Sequence, residues 1–199
     1  MTKFIFDLDG TLTSKETLPI ICQQFNIKQN VDDLTKQTIT GNVPFIESFI
    51  KRVHILGHLP IDEVSELLAN TPLHLKIVDF IQKHKQDCII ATGNLECWVG
   101  KLISKINCQY YCSKCDINDN KVKKLTKILH KEDVVALYKA QNEKVVFIGD
   151  GNNDVEAMRM ADISIASGLI HFPAQSVLSI ADYIVFSEEA LCRQLNQLL

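Results

Sequence analysis

Four aspartates stand in two places where an apolar run gives way to small polar residues. Phe4-Ile5-Phe6 runs into Asp7-Leu8-Asp9-Gly10-Thr11, and Val145-Val146-Phe147-Ile148 runs into Gly149-Asp150-Gly151-Asn152-Asn153-Asp154. A third run, Ile89-Ile90-Ala91, leads to Thr92-Gly93-Asn94. Any one of these clusters alone reads as a polar turn with a helix cap. Brought together, Asp7, Asp9, Asp150 and Asp154 would crowd like charges, which is unfavourable unless a cation neutralises them. A sparse ligand set of oxygens with no histidine suits Mg²⁺, which keeps waters and substrate oxygens in its shell. A carboxylate beside such an ion can attack phosphorus and form an aspartyl-phosphate.

The elements that must position these residues follow from the pattern of apolar runs. Cys88–Ala91 and Val145–Ile148, together with Phe4–Phe6, Ile163–Ala166 and Tyr183–Phe186, are mostly continuous rather than alternating, as in strands buried on both faces. Helical spacing lies between them, at Ile77, Phe80 and Ile81, at Val99, Leu102, Ile103 and Ile106, and at Val155, Met158 and Ala161. Strands alternating with helices predict a Rossmann-like α/β core around a parallel sheet. In such a sheet the ligand crevice lies outside the carboxyl ends of the strands, where all three polar clusters sit. From Thr13 to about Thr71 only helical spacing recurs, with Pro44 and Pro60 where helices would begin. The expected organisation is a core of residues 1–12 and 76–199 with a helical cap, residues 13–75, inserted after the first strand.

The three clusters resemble motifs I, II and IV of the haloacid dehalogenase superfamily, in the right order and across the whole chain. The resemblance implies that Asp7 is the nucleophile and Asp9 the general acid and base. It implies that Asp7, the main-chain carbonyl of Asp9, and Asp150 hold Mg²⁺. Thr92 would hydrogen-bond the phosphoryl oxygens, with Gly93 and Asn94 beside the substrate. Asn153 and Asp154 would lie behind the metal ligands, Asp154 supporting either the metal shell or the motif III lysine. An acid at position 9 favours phosphatase over dehalogenase chemistry, because a leaving alkoxide needs a proton. Lys131 is the preferred motif III lysine, since Glu132 to Leu137 looks like the helix that starts there in family members, and Lys127 is second.

Phe45 to Val53 and Leu59 to Val64 resemble the helical cap of the phosphoserine phosphatase branch. In that branch a glutamate at the place of Glu16 binds the substrate ammonium, and an arginine at the place of Arg52 binds its carboxylate. The expected substrate is therefore a small phosphorylated metabolite, with L-phosphoserine first. The alternatives are another phosphometabolite, a phosphotransferase, or a non-catalytic regulator that binds a phosphorylated ligand. Two features depart from the branch. Asn94 stands where Gly is usual, and the segment Ser167 to Pro173 differs. A lone loop residue such as His171 is expected to be solvated.

Composition narrows the field. With 21 basic and 24 acidic residues, a net charge of −3 and no apolar run of membrane length, neither a nucleic-acid nor a membrane partner is expected. The sequence leaves the oligomeric state open. The opening MTKFIFDLDG has too short an apolar stretch for a signal peptide, so a cytoplasmic enzyme with reduced cysteines is expected. Cys112-x₂-Cys115 has zinc-like spacing that Cys108 or His130 could complete. A single such pair is more simply explained by small core thiols.

Overall fold

The computed structural model describes all residues except 28–30, 32–33 and 35–42, and it describes the backbone but not the side chain of Phe45. Part of the expected cap, and the side chain of Phe45 on its helix face, therefore lie outside the described residues.

Among the described residues seven strands form one sheet in the order β4-β3-β2-β1-β5-β6-β7. They are β1 (Thr2–Phe6), β2 (Cys88–Leu95), β3 (Gln109–Asn118), β4 (Lys121–Lys127), β5 (Lys144–Gly149), β6 (Ile163–Ser167) and β7 (Tyr183–Val185). All neighbouring pairs are parallel except β3 with β4, which is antiparallel. The α/β class is as expected, with one antiparallel edge that the parallel reading did not contain. β3 was not anticipated because its residues are half-buried and polar, unlike the central runs. β4 shows Lys121, Lys123, Lys124 and Lys127 to solvent.

Within the central strands, Phe4–Phe6, Cys88–Ala91 and Val145–Ile148 are apolar on successive residues because both faces are covered. On one face Phe4, Phe6, Ile90, Val146 and Ile148 pack with helices α4 (Leu75–Lys83) and α5 (Glu96–Ile106) and with the last helix, Glu188–Leu198. On the other, Ile5, Ile89, Val145 and Phe147 pack with α6 (Lys131–Lys139) and α7 (Val155–Met160). Burying one such aliphatic or aromatic side chain stabilises the fold by about 1.5–3 kcal/mol, so this double layer anchors the strand ends rigidly.

Between β1 and α4 lie α1 (Thr17–Gln24), α2 (Phe45–Leu56) and α3 (Ile61–Ala69). Pro44 and Pro60 precede α2 and α3 in extended conformation, where a missing N–H costs nothing. The chain leaves and re-enters the core side by side. Thr13 pairs with Leu73, Ser14 N donates to Pro72 O at 2.9 Å, and His74 N donates to Leu12 O at 2.9 Å. The turn between α2 and α3 rests on the β3–β4 hairpin. Val122 N donates to Gly57 O at 3.0 Å and Ile61 N to Asn120 O at 2.8 Å. Among the described residues no helix is long and apolar enough to cross a membrane.

Candidate active site

β2, β1 and β5 are adjacent at the centre of the sheet, so the residues at their carboxyl ends meet. Asp7 N donates to Ile148 O at 2.9 Å, which carries the β1–β5 pairing one residue past β1 and fixes Asp7 beside the loop that holds Asp150. Thr92, Gly93 and Asn94 lie inside β2 rather than beyond it, at a point where its register with β3 shifts. That irregularity turns Thr92 and Asn94 toward the same edge as Asp7 and Asp9, as the hydrogen bonds below show.

Lys131 is the first residue of α6, and only 2% of it is exposed. Its Nζ lies 2.7 Å from Asp7 Oδ1 and 2.5 Å from Asp154 Oδ1. Burial works against its charge, yet Asp154 and Asp7 together hold its pKa above the ordinary lysine range. Lys127 is exposed on β4 and lies outside this cluster. Asp154 is fully buried, and its other oxygen accepts from the amides of Asp150 at 3.0 Å and Gly151 at 2.9 Å. It thus serves the lysine and the turn that aims Asp150.

Asp7 accepts from the Leu8 amide at 2.7 Å. Burial pushes its pKa well above the carboxylate range. Lys131 pulls it down, while Asp154 and Asp150 push it up again. Asp150 is raised to about 6, chiefly by burial, with His171 opposing. Asp9 is raised to about 7 by burial and by the charge of Glu16. Three donors converge on Asp9: Thr17 N at 2.7 Å, Thr17 Oγ1 at 3.0 Å and Asn94 Nδ2 at 2.6 Å. Asn94 N in turn donates to Thr92 Oγ1 at 3.2 Å.

Gly10 has φ +73°, and a Cβ there would collide with the carboxylate of Asp150. We expect Gly10→Ala to cost both backbone strain and the placement of Asp150. Divalent-cation affinity, read by calorimetry, should fall by about tenfold or more, following a loss of at least about 1.4 kcal/mol. Unchanged affinity would show that the close approach is dispensable.

Among the described residues two groups bring ligand atoms within 4.8 Å of one another: Asp7, Asp150 and Asp154, and Glu16, Asp150 and His171. The first group fits a hard divalent cation. Its donors are oxygens only, and three buried carboxylates gather there beside a single lysine, Lys131. Neither group contains a cysteine or His130. Cys115 instead lies 3.5 Å from Cys97, Sγ to Sγ, Cys112 is buried, and His130 precedes α6 beside Glu132. The thiols belong to the apolar core, as the simpler expectation held.

A cavity of about 530 Å³ opens over this edge. Asp7, Asp9, Thr92, Gly93, Asn94, Asp150 and Asn153 line its floor, and Glu16 and Arg52 line it as well. Arg52 Nη2 donates to the buried Ser48 Oγ at 2.8 Å. Burial lowers the pKa of Arg52, while Glu16 and Cys22 pull it the other way. Phe49, Val53 and Trp98 add an apolar wall, in which Trp98 is buried.

His171 is not merely solvated. Its Nε2 lies 3.0 Å from Glu16 Oε1 and 3.2 Å from Asp150 Oδ2, which together hold its pKa up at about 10. Two bonds pin its loop to the site. Ser167 Oγ donates to Gly10 O at 2.9 Å, and Ala174 N donates to Asp150 O at 2.8 Å.

This arrangement on this sheet defines a hydrolase class. The chain belongs to the haloacid dehalogenase-like hydrolases, whose family pattern matches residues 2–162. It is 25% identical to the phosphoserine phosphatase of Methanocaldococcus jannaschii over 175 residues, 81% of this chain and 83% of that one. It is 24% identical to the phosphoserine phosphatase of Bos taurus over 82% of this chain and 80% of that one. A solved substrate-bound phosphoserine phosphatase complex superposes with a TM-score of 0.81 at 22% identity, covering 100% of this chain and 99% of that one, and so shares its fold.

Proposed function

We propose that this chain is a Mg²⁺-dependent phosphatase that hydrolyses a small phosphate monoester through an aspartyl-phosphate on Asp7. The observation that carries the proposal is the buried bridge of Lys131 between Asp7 and Asp154, set beside Asp150 at the mouths of β1 and β5. The relatives named above are phosphoserine phosphatases, which supports the same chemistry.

Asp7 attacks phosphorus, and the bond to the leaving alkoxide oxygen breaks. Asp9 gives that oxygen a proton and later takes one from the water that cleaves the aspartyl-phosphate. The donors on Asp9 from Thr17 and Asn94 hold its carboxyl in one orientation for both steps. Lys131 keeps Asp7 aimed, and its charge offsets the negative charge brought by the phosphoryl group. Thr92, which lines the cavity, would hydrogen-bond the phosphoryl oxygens through its hydroxyl. Mg²⁺ held by Asp7, the Asp9 carbonyl and Asp150 would supply further charge stabilisation of the phosphoryl oxygens. Asn153, on the same rim, belongs behind these ligands. In this reading residues 13–75 form the cap; its described helices α1 and α2 line the cavity and would limit water there, and the paired segments at Thr13 and Leu73 would serve as its hinge.

L-Phosphoserine is the first substrate to test. Glu16 and Arg52 face one cavity, as a site for its ammonium and carboxylate requires. The bond between Glu16 and His171 bears against the ammonium half of that assignment. Phosphate release from 4-nitrophenyl phosphate and from L-phosphoserine should require Mg²⁺. Chelation should lower it by about 100-fold or more, restored on adding the metal back. Full activity after exhaustive chelation would exclude the metal's role, and inactivity on every monoester with Mg²⁺ would exclude the phosphatase.

A further inference from the structure

If the floor of the cavity takes the phosphoryl group, its walls meet whatever the phosphate is attached to. Those walls are largely apolar: Leu18 and Pro19 of α1, Phe49 and Val53 of α2, Trp98 of α5, and Phe172 of the loop after β6. Glu16 and Arg52, which also line the cavity, already have partners within the chain. Glu16 meets His171 at 3.0 Å, and Arg52 donates to Ser48 at 2.8 Å. A space of about 530 Å³ lies in the range of pockets that enclose ligands far larger than a three-carbon amino acid, roughly 300–1,000 Å³. A substrate that filled only the floor would leave the apolar walls unmatched.

Phe172 lines the cavity yet is 71% exposed, which places it at the mouth. Its ring stacks on that of Phe186, itself 57% exposed, with centroids 5.7 Å apart and planes 28° apart. Exposed apolar surface rimmed by polar residues is a mark of ligand grooves. The backbone holds the pair in place. The bonds from Ser167 to Gly10 and from Ala174 to Asp150 bracket the loop, and Gly168 N donates to Val185 O at 2.8 Å. A Cβ at Gly168 would collide with the Phe186 ring, so the missing side chain lets that ring lie against the loop.

We propose, resting on the phosphatase reading above, that the substrate is a phosphate monoester whose alcohol carries a flat aromatic ring, and that Phe172 is the specificity-determining residue. With the phosphate over Asp7, the ring occupies the apolar part of the cavity and meets Phe172. Aromatic rings attract one another in offset stacks beyond the area they bury. Phe186 already holds Phe172 in one orientation, so little ordering cost opposes a third ring.

Ethyl phosphate, 2-cyclohexylethyl phosphate and 2-phenylethyl phosphate share one reacting end, so their leaving alcohols differ little in chemistry. With the Mg²⁺-loaded protein, kcat/KM should rise by about tenfold or more from the ethyl to the phenylethyl ester, the gain lying in KM. The phenylethyl ester should also exceed the cyclohexylethyl ester, which is as apolar but not flat, and L-phosphoserine. Phe172→Ala should cut the phenylethyl-to-ethyl ratio by about fivefold to tenfold, and Phe172→Tyr should keep it. Phe172 is exposed and lies outside the strands and helices, so its replacement spares the core, and a ratio does not depend on the amount of active protein. A native preference for L-phosphoserine or the cyclohexylethyl ester, or a ratio that Phe172→Ala leaves unchanged, overturns the proposal. Inactivity on every ester would overturn the phosphatase reading instead. Calorimetric binding of 3-phenylpropylphosphonate against propylphosphonate, neither of which is hydrolysed, then still decides the role of Phe172: equal affinities, or a difference that Phe172→Ala does not reduce, overturn it.

Discussion

Asp7→Asn should release no phosphate above background, a loss on the order of 10⁴-fold or more, the scale seen when a covalent nucleophile is removed. The amide has the same shape, so its oxygen can still accept from the Leu8 amide, but it lacks a nucleophilic charge. The fold should survive. Burial and the neighbouring Asp150 and Asp154 already disfavour a charged Asp7, so neutralising it relieves repulsion as well as removing one of the two partners of Lys131. Thermal unfolding should therefore stay within a few degrees of the native protein or rise. Beryllium fluoride, a phosphoryl mimic, should give a bound ¹⁹F signal with Mg²⁺ in the native protein and none in Asp7→Asn. Turnover retained in the variant would sink the covalent mechanism.

Lys131→Ala should damage rate and stability together. The ammonium holds Asp7 and Asp154 in a region where it is itself 2% exposed. Removing one partner of a buried ion pair leaves uncompensated charge, at a cost of about 3–5 kcal/mol. The rate should fall by about 10²–10³-fold, the scale of losing one preorganised group on the developing charge. Lys127→Ala, on the solvent side of β4, should leave both nearly unchanged. Phosphate release and denaturant unfolding on the two variants decide it, and the reverse order of damage would move the motif III role to Lys127.

The carboxylates and Lys131 could be found in the sequence for a physical reason. Asp7 and Asp150 follow strands buried on both faces, and such strands announce themselves as unbroken apolar runs. Lys131 opens a helix whose pattern is local. β3 was hidden because its residues, Gln109 to Asn118, are too polar and exposed for that signal. His171 was hidden differently. It sits in a loop, and its meaning comes from Glu16, distant in sequence but adjacent once β6 lies beside β5. The only local sign was an unusual segment after Ser167. The contact of Asn94 with Asp9 likewise depends on β2 lying beside β1, although its departure from the usual Gly marked the place. The spacing at Cys112 and Cys115 decided nothing alone, because two thiols three apart carry no information about whether further ligands fold to meet them.

The lysines of β4 have a consequence for crowding in solution. An open sheet presents unpaired backbone groups along its margin, and a second copy of the chain can extend the sheet by docking there. Here that approach would bring two sets of Lys121, Lys123, Lys124 and Lys127 face to face, so electrostatic repulsion opposes it. The opposite margin, β7, is three residues long and offers too little ladder to hold a partner. The sheet is thus guarded against polymerisation at both ends, and self-association, where it occurs, must use other surfaces.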